Sequence, residues 1–538
     1  MSAKLDPASR RRAATAFAEK KLDLLIIGGG ITGAGLAFEA ASRGLKVGLV
    51  EAADYGSGLS SRTGGLINGG IPWDGSISEQ ALMAAERGVL TSEMAPHLVK
   101  LTPFLWSLRS DWSEWLKDRR RVGRFEVATR FLVRGKVPPP RHYSRRRAAS
   151  AFTSLRNLTP TGAVRLFDAC LDSGRLTVTT VRSAAALGAV VLSHAQALSL
   201  ARTPSGRIAG AIVRDETGWF EARAHQVVLA CGPGAADTLL QGIGIKPPHR
   251  AHERYQKGTQ ITVSRSALRG SMGLYLRAGA AILSFVPEGD LWIIGPYMSS
   301  ADSLADIQTH YEDVKGAIDL VNDSLKTNLR MADVNSAWSG VDIFEDGAVA
   351  PVREFRFSTY APGLSGAQGG PITTFRAQAA WVVDRLFGGR SVSASLPLLG
   401  ASQYASLWNS RYRLAAARGL SARRYAELLN RYGDEVKIIF DLIDADPSLG
   451  QPFALCQSRL RAEAVFAVLY EGAFELSDVL HRRLNLAQLV SDGGNSAGLE
   501  VAELVRPYLG WDDQEIAAQV AQLPQWDGWR NERHRPRA

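Results

Sequence analysis

Three glycines and one acid near the N-terminus have the types and spacing of a ligand site. The glycines form the pattern Gly28-x-Gly30-x-x-Gly33, and Glu51 follows about 20 residues later. The first glycine allows a tight turn, the second lets the backbone approach a pyrophosphate, and the third lets a helix pack closely on a strand. N–H groups at the helix start, around Thr32, would face the phosphates, and the Glu51 carboxylate would accept hydrogen bonds from ribose hydroxyls. The pattern predicts a dinucleotide site, leaves FAD and NAD open, and has a ligand-free turn as its alternative.

A run of small residues follows the acid. Residues 56–70 read GSGLSSRTGGLINGG. So many glycines cannot form a core, but they let the backbone lie close to an extended ligand. The hydroxyls of Ser60 and Ser61 are available to phosphate oxygens, and Gly69 and Gly70 end the run. We predict that these four residues contact the dinucleotide.

A second glycine pair precedes a predicted helix late in the chain. In GLSGAQGGPITTFR, residues 363–376, Gly369-Gly370 is followed by a proline at the first helical turn. Thr373 and Thr374 can cap this helix. A helix N-terminus aimed at the pyrimidine edge of a flavin would stabilise the anion that forms when the ring accepts a hydride. The pair and the two threonines are therefore predicted cofactor contacts.

The elements that must position these residues are strands and helices in alternation. Apolar runs at Leu24–Ile27 and Val47–Val50 flank an Ala-rich helical segment. From Ala189 the pattern indicates one strand and a three-stranded meander, which leads into a final apolar strand at Val227–Ala230. That strand ends at Cys231-Gly232, as the Rossmann sheet of many flavoproteins does. Gly232 is thus a predicted cofactor contact, with an ordinary strand-end turn as its alternative.

Other segments predict helices before and after a second sheet. Residues 76–118 have helical patterns, a basic loop extends to about residue 150, and a further helix is predicted around Gly162–Leu171. Residues 250–345 contain short β-like runs and one helix near Ile307–Leu325. These runs predict an antiparallel sheet set over the dinucleotide domain.

The predicted fold is α/β with a helical addition. Residues 1–395 are expected to form a Rossmann-type FAD-binding domain with an inserted substrate-covering sheet at about 245–345. Beyond Leu396 the pattern is helical without a strand signal, so residues 396–538 are expected to form an all-α domain.

Composition restricts the class of protein. Of 538 residues, 46% are hydrophobic and 22% are charged, which is typical of globular proteins. The 3 cysteines are widely spaced and predict neither a disulfide framework nor a metal cluster, so we expect no metal site and a reducing, cytoplasmic environment. No apolar run has the length of a membrane span, and no signal peptide is recognisable.

The net charge of +10 favours binding to an anionic partner. Basic residues cluster at 10–12, 119–124 and 134–147. Nucleic-acid binding would require aromatic residues interleaved with them on a recognisable module, and the sequence contains none. Solvated loops are the simplest interpretation, and contact with acidic lipids at the inner face of the membrane is the alternative.

Segments along the whole chain resemble a known family. They are IIGGGITGAGLAFEAASRGLKVGLVEAADYGSGLSSR, the KGT of Lys257–Thr259, FVPEGDLWIIG, WSGV, GGPITTFR and ELSDVLHRRLNLA. In this order they resemble the FAD-dependent glycerol-3-phosphate dehydrogenases of the aerobic, quinone-linked kind. The resemblance implies FAD rather than NAD as the cofactor. It also implies hydride transfer from C2 of sn-glycerol 3-phosphate to flavin N5, with the electrons passed to a quinone at the membrane surface.

The resemblance fails at positions that would bind and activate that substrate. Where the family has Lys, His, Arg and Tyr in SSKLIHGGLRY, this chain has Gly65, Asn68, Pro72 and Trp73. The His of KGSH is Gln260, the Arg of SGVRPL is Asp342 and the Lys of GGKLTTYR is Pro371. A phosphate dianion needs Arg or Lys. Oxidation of an alcohol needs a base for the hydroxyl proton, which an amide does not supply.

Two cations remain as candidate catalytic residues, Lys257 and Arg376, and a structural ion pair is the alternative for each. Trp73 and Phe375 indicate a more apolar pocket or, alternatively, core packing.

Three functions stay open. The favoured one is an FAD-dependent dehydrogenase or oxidase with a small, less anionic alcohol as substrate and a quinone or another electron acceptor. The others are a non-catalytic or regulatory flavoprotein and a true glycerol-3-phosphate dehydrogenase with a rearranged site. Oligomeric state is left unknown.

Overall fold

The computed structural model describes residues 3–71, 76–108, 112–132, 137–158, 162–246, 253–279, 281–304, 306–345 and 355–531. The strands are β1 (Leu22–Ile27), β2 (Val47–Val50), β3 (Leu66–Ile67), β4 (Lys100–Leu108), β5 (Arg141–Tyr143), β6 (Gly162–Cys170), β7 (Val190–Leu192), β8 (Gln196–Arg202), β9 (Ile208–Asp215), β10 (Gly218–Leu229), β11 (Glu253–Ser264), β12 (Gly273–Ala278), β13 (Ala281–Glu288), β14 (Leu291–Ala301), β15 (Val334–Glu345), β16 (Arg356–Ala361), β17 (Leu364–Gln368), β18 (Pro452–Phe453) and β19 (Cys456–Leu460).

The helices are α1 (Pro7–Glu19), α2 (Ile31–Ser42), α3 (Ile77–Val89), α4 (Trp112–Leu132), α5 (Arg145–Ala151), α6 (Ser173–Ala186), α7 (Gly232–Gly242), α8 (Tyr311–Leu325), α9 (Phe375–Phe387), α10 (Tyr404–Asn409), α11 (Arg411–Ala417), α12 (Ala422–Tyr432), α13 (Val436–Ala445), α14 (Arg461–Tyr470), α15 (Leu486–Leu489), α16 (Gly498–Leu509), α17 (Asp513–Ala521) and α18 (Gly528–Asn531).

The first sheet is built around β1, which is buried along almost its whole length. Its strand order is β16-β17-β10-β1-β2-β7, and β1 pairs in parallel with both β2 and β10. Parallel strands that are covered on both faces are almost entirely apolar, as β1 is. Helices α2, α6 and α9 pack against this sheet in one large core. The predicted Rossmann unit is confirmed.

The predicted meander is one strand shorter than expected. The expected third meander strand and the final strand at Val227–Ala230 are a single strand, β10. Its first half pairs antiparallel with β9 and its second half pairs parallel with β1. The sequence between them, EARAHQVVL, contains no Gly or Pro, so no residue there breaks the strand.

The second sheet is larger than predicted. It has 9 strands in the order β15-β11-β14-β13-β12-β4-β6-β3, with β5 paired to β6. The predicted antiparallel runs of residues 250–345 form one part of it, but β3–β6 come from earlier in the chain, and β12 pairs in parallel with β4. One face packs against α8, and the other faces the glycine-rich segment after β2.

Three predictions for residues 76–171 are wrong. The predicted helical region is interrupted after α3 and a π-helical turn by β4 at Lys100–Leu108, and the helical conformation resumes with α4 at Trp112. The predicted basic loop contains α4, β5 and α5. The segment around Gly162–Leu171, which was expected to be a helix, is the strand β6. It pairs with β4 along its whole length. The sequence pattern of this segment is weak, so its conformation depends on pairing with β4.

Residues 396–531 are mainly helical, as predicted, and contain two core clusters of their own. The prediction of no strand there is wrong, because β18 and β19 form a short hairpin before α14. The three cysteines are free thiols. Within the described ranges, no helix has the combined length and hydrophobicity that crossing a bilayer requires.

Candidate functional site

Four of the predicted positions follow the carboxyl ends of neighbouring parallel strands. Gly28 comes directly after β1, Glu51 after β2 and Gly369 after β17, and Gly232 lies just beyond the end of β10. In open α/β sheets this edge is where ligands bind. A β-carbon at Gly232 would have no atom within 4 Å, so the chain there borders open space. The structure therefore brings these four positions to one edge of the first sheet.

The turn after β1 requires glycine at two of its positions. Gly28 has a φ of 115°, and a β-carbon there would lie 2.5 Å from the backbone of Ala230. A β-carbon at Gly33 would lie 1.9 Å from the carbonyl oxygen of Gly28. Gly30 is the N-cap of α2, so the first N–H groups of the helix, including that of Thr32, are at the mouth of the turn. A turn of this geometry can hold a pyrophosphate.

Glu51 and Ser60 accept hydrogen bonds from backbone N–H groups of this turn. Glu51 accepts hydrogen bonds from the N–H of Gly29 at 2.6 Å and from that of Ala53 at 2.9 Å. Burial raises the pKa of Glu51 above its ordinary value, although these two bonds oppose the shift. Ser60 Oγ accepts a hydrogen bond from the N–H of Ile31 at 2.9 Å. The second serine, Ser61, is tied through its carbonyl oxygen to Gln488.

Two further predicted segments meet at Asn68. Gly70 has a φ of 95°, and its N–H donates to Asn68 Oδ1 at 3.0 Å. Thr373 Oγ1 donates to the carbonyl oxygen of Asn68 at 3.4 Å. The Gly69-Gly70 turn and the start of α9 thus lie side by side, as a flavin ring contacted by both would require. Thr374 Oγ1 donates to the carbonyl oxygen of Pro371 at 3.1 Å.

Three buried residues that the sequence did not indicate hold the Gly69-Gly70 turn in place. Asp168 accepts hydrogen bonds from the N–H of Gly69 at 2.6 Å, from Arg87 at 2.7 Å and from the Tyr275 hydroxyl at 2.8 Å. Burial raises the pKa of Asp168, while the positive charge of Arg87 opposes that shift. A β-carbon at Gly69 would lie 2.3 Å from Arg87 Nη1, so a side chain there would displace the guanidinium that binds Asp168.

Both predicted catalytic cations are engaged in internal ion pairs. Lys257 Nζ lies 2.9 Å from Asp306 Oδ1 and 3.6 Å from Asp313 Oδ2, on the face of the second sheet that packs against α8. Arg376 forms a two-bond pair with Glu86, with Nε donating to Oε2 at 2.8 Å. These ion pairs are what the structural alternative for each residue requires, and a catalytic role for Lys257 and Arg376 stays a prediction.

Gln260 lies on the opposite face of the same strand. A β-carbon at Gly295 would lie 2.3 Å from Gln260 Oε1, and one at Gly64 would lie 3.4 Å from it. The amide is therefore packed against the glycine-rich segment after β2. Its Oε1 atom is buried and accepts no hydrogen bond. A buried acceptor without a donor indicates a missing partner.

Of the substituted positions, Phe375 lies among the described residues, whereas others do not. Phe375 is buried against α2, where a β-carbon at Gly35 would lie 2.8 Å from its ring, so its role is core packing. Pro72 and Trp73 lie outside the described residues, as does the side chain of Asp342.

A network of buried charges joins the edge of the first sheet to the C-terminal helices. Asp54 accepts two hydrogen bonds from Arg483, at 2.7 and 2.8 Å, and a third from Arg482. Arg482 also donates to Asp478, which lies 2.9 Å from His194 Nε2. The acids and the imidazole have the spacing of metal ligands. However, guanidinium groups occupy both carboxylates, so the arrangement is that of an ion-pair network.

The stability of this network is expected to depend on pH through His194. Burial alone would lower the pKa of His194, but the hydrogen bond and charge of Asp478 outweigh it and raise that pKa. The stabilisation from the bound proton is complete below the unfolded pKa of about 6.5 and is lost as the pH rises through the raised folded pKa. The melting temperature should therefore fall as the pH rises above about 6.5. His194→Asn should flatten this dependence, whereas the exposed His225→Asn should not change it. Equal slopes in all three proteins would contradict the assignment.

The fold and the site define an FAD-dependent oxidoreductase. Residues 23–385 match the family model for FAD dependent oxidoreductases, and residues 391–516 match that for the C-terminal domain of alpha-glycerophosphate oxidase. The chain belongs to the FAD dependent oxidoreductase family, and FAD is its cofactor.

Relatives and solved structures agree with this assignment. Glycerol-3-phosphate dehydrogenase 2 of Mycobacterium tuberculosis is 33% identical over 537 residues, which cover 97% of this chain and 90% of the relative. Glycerol-3-phosphate dehydrogenase of Mycobacterium leprae is 33% identical over 534 residues, with 96% and 90% covered. The FAD complex of glycerol-3-phosphate dehydrogenase from Bacillus halodurans has the same fold, with a TM-score of 0.77 at 22% identity over 96% of this chain and 97% of the other. The resemblance stated from the sequence is confirmed.

Proposed function

We propose that the protein oxidises a small alcohol that carries less negative charge than glycerol 3-phosphate and transfers the hydride to FAD. The mycobacterial relatives are glycerol-3-phosphate dehydrogenases, which supports oxidation of an alcohol as the reaction type. The unpartnered Oε1 of Gln260 carries the proposal about the substrate. It is a neutral acceptor at a position where the family has an imidazole, and a substrate hydroxyl is a suitable donor for it.

The ion pairs of the two retained cations, Lys257 and Arg376, support the same proposal. A phosphate dianion in a partly desolvated pocket is bound by guanidinium or ammonium groups that are free to donate to it. Lys257 has two carboxylates and Arg376 has one, so neither has its charge available. A substrate without that dianion avoids the penalty of a buried, unpaired charge.

We propose that the predicted glycines and hydroxyls hold the cofactor along the edge of the first sheet. Gly28, Gly30 and Gly33 with the start of α2 would hold the pyrophosphate, and Glu51 the adenosine ribose. The isoalloxazine would lie by Gly69-Gly70 and the start of α9. When bound, FAD supplies the hydride acceptor.

The domain organisation is proposed with the same boundaries as above. Residues 1–395 would form the flavin domain and residues 396–538 the helical domain. The two family matches, 23–385 and 391–516, support a boundary in this region. Buried pairs across it, Arg182 with Glu435 and Asp54 with Arg483, would fix the domains together.

We further propose that a quinone accepts the electrons and that the protein is cytoplasmic and touches the inner face of the membrane. The exposed arginines of α5, Arg145, Arg146 and Arg147, support a contact with acidic lipids. Flotation of the holoprotein with vesicles containing anionic lipid, compared with neutral vesicles, tests this contact.

Anaerobic flavin reduction tests the proposed substrate. The purified holoprotein is mixed with glycerol 3-phosphate, with glycerol and with a panel of neutral secondary alcohols, hydroxy acids and amines, and the absorbance of oxidised flavin is followed. Bleaching by an uncharged alcohol but not by glycerol 3-phosphate is expected. Bleaching by glycerol 3-phosphate would refute the substrate argument, and bleaching by none of the compounds would favour a non-catalytic flavoprotein.

Gln260→Leu is expected to lower kcat/KM for the alcohol found in that panel by about tenfold or more, because one hydrogen bond to the substrate is lost. The same change removes a buried carbonyl that has no donor, so the melting temperature should stay constant or rise. Steady-state kinetics and thermal denaturation measure the two effects. A fall in both values would instead indicate that Gln260 has only a structural role.

A further inference from the structure

Asn68 joins the two segments that we assign to the flavin ring. Its side-chain Oδ1 accepts a hydrogen bond from the N–H of Gly70 at 3.0 Å, and its main-chain carbonyl oxygen accepts one from Thr373 Oγ1 at 3.4 Å. The first bond lies within the Gly69-Gly70 turn, and the second reaches the helical turn that leads into α9. Asn68 is thus held from two sides.

The amide nitrogen of Asn68 takes part in neither bond. A side-chain amide has one acceptor oxygen and one NH₂ group, which is a donor. Because Oδ1 faces the N–H of Gly70, the NH₂ group must point in another direction. Among the residues that the structure describes, Asn68 Nδ2 has no acceptor.

The Nδ2 donor of Asn68 is accessible. Asn68 is 8% exposed, and Nδ2 is not one of the enclosed side-chain atoms that lack a partner, so a molecule outside the core can reach it. The N–H groups of Gly69 and Gly70 are already bound, to Asp168 at 2.6 Å and to Asn68 Oδ1. Asn68 Nδ2 is therefore the side-chain donor that this turn offers to a ligand.

The pyrimidine ring of a flavin has acceptors that suit this donor, because its carbonyl oxygens accept hydrogen bonds. The start of α9 is expected to face the pyrimidine edge of the flavin, and Asn68 is bonded to the turn that leads into α9. The amide would then lie on the side of the ring that gains negative charge on reduction.

We propose that Asn68 Nδ2 donates a hydrogen bond to a carbonyl oxygen of the flavin's pyrimidine ring and so stabilises reduced FAD, an assignment that rests on the ring position proposed above. A hydrogen bond to a charged acceptor is stronger than one to a neutral acceptor, so the bond favours the reduced, anionic ring over the oxidised ring. Loss of the donor should lower the equilibrium constant for flavin reduction by about tenfold or more.

Asn68→Asp and Asn68→Leu separate the donor from the fold of the turn. Asn68→Asp keeps an oxygen that can accept from the N–H of Gly70 and replaces the NH₂ group by a second oxygen. Asn68→Leu removes both groups without adding a charge. If Asn68→Leu does not retain FAD, Asn68→Asp alone carries the test.

The midpoint potential of the bound FAD is measured in the substrate-free holoprotein by titration with a reference dye. It should fall in both Asn68 variants. Asn409→Asp is the control, because Asn409 is exposed at the end of α10 and the variant makes the same change in charge. It should keep the wild-type potential.

Infrared spectra of the holoprotein with isotope-labelled FAD test the bonded atom. A hydrogen bond weakens the carbonyl bond that accepts it, so one flavin carbonyl stretch should move to higher frequency in Asn68→Leu. The same band should stay at its wild-type frequency in Asn409→Asp.

A wild-type potential and wild-type carbonyl frequencies in both Asn68 variants would overturn the proposal. The same potential with a raised KM for the substrate would also overturn it, because Asn68 would then contact the substrate and not the flavin. Neither the potential nor the infrared spectrum requires a substrate, so an error in the proposed substrate would not affect these results.

Discussion

Alanine at Gly33 is expected to yield a purified protein without FAD. Helix α2 packs so closely on the turn after β1 that a β-carbon at residue 33 would lie 1.9 Å from the carbonyl oxygen of Gly28. The carbonyl oxygen belongs to the backbone and a β-carbon is fixed rigidly to it, so relief of the overlap must move α2 away from β1. That movement carries the N–H groups at the start of α2 away from the phosphates. We expect FAD affinity to fall by about a hundredfold or more, measured by fluorescence titration of the apoprotein.

Gly123→Ala is the matched control. Gly123 lies inside α4, and a β-carbon there would meet no atom within 4 Å. Alanine in a helix interior is favoured over glycine by about 1 kcal/mol, so this variant should keep its FAD and be as stable or slightly more stable. Stoichiometric FAD in Gly33→Ala would show that the close approach is not needed.

The cofactor contacts that we propose could be identified in the sequence because each of these residues belongs to a local pattern. The glycines of the first turn, the acid after β2 and the glycine pair before α9 are each adjacent to the strand or helix that positions them. Such patterns can be recognised without knowing the tertiary structure. The structure then adds that four of these positions share one sheet edge.

The direction in which the Lys257 side chain points could have been predicted from the sequence. Lys257 and Gln260 are separated by an odd number of positions on β11, and side chains alternate between the faces of a strand. If Gln260 faces the glycine-rich segment, Lys257 must face the other way. The residues that bind it, Asp306 and Asp313, could not be identified, because they come from a different segment.

The cluster of Arg87, Asp168 and Tyr275 could not have been found from local patterns. Its three residues come from α3, β6 and β12, and only the second sheet brings them together. A buried carboxylate is recognisable only from its partners. For the same reason the partner of Arg376, which is Glu86 on α3, could not be predicted.

Asp54→Ala is expected to destabilise the protein by about 3–5 kcal/mol, because it leaves a buried guanidinium without its carboxylate. Asp54 and Arg483 are almost fully buried, and their two hydrogen bonds are parallel. Asp54 also lies three residues after Glu51. FAD affinity should therefore fall as well, since the loop that carries Glu51, the acid that we propose for the ribose, loses its anchor to the C-terminal helices. Urea denaturation followed by tryptophan fluorescence measures the loss of stability.

Asp290→Ala provides the comparison for an exposed pair. Asp290 lies 2.9 Å from Arg423, but the two side chains are 83% and 69% exposed, so its loss should change stability by at most about 1 kcal/mol. A double variant, Asp54→Leu with Arg483→Met, removes both buried charges together and should recover much of the stability lost in Asp54→Ala. Arg482 keeps Asp478 as its partner in that variant. If the double variant were less stable than Asp54→Ala, the loss would come from packing at this junction and not from an unpaired charge.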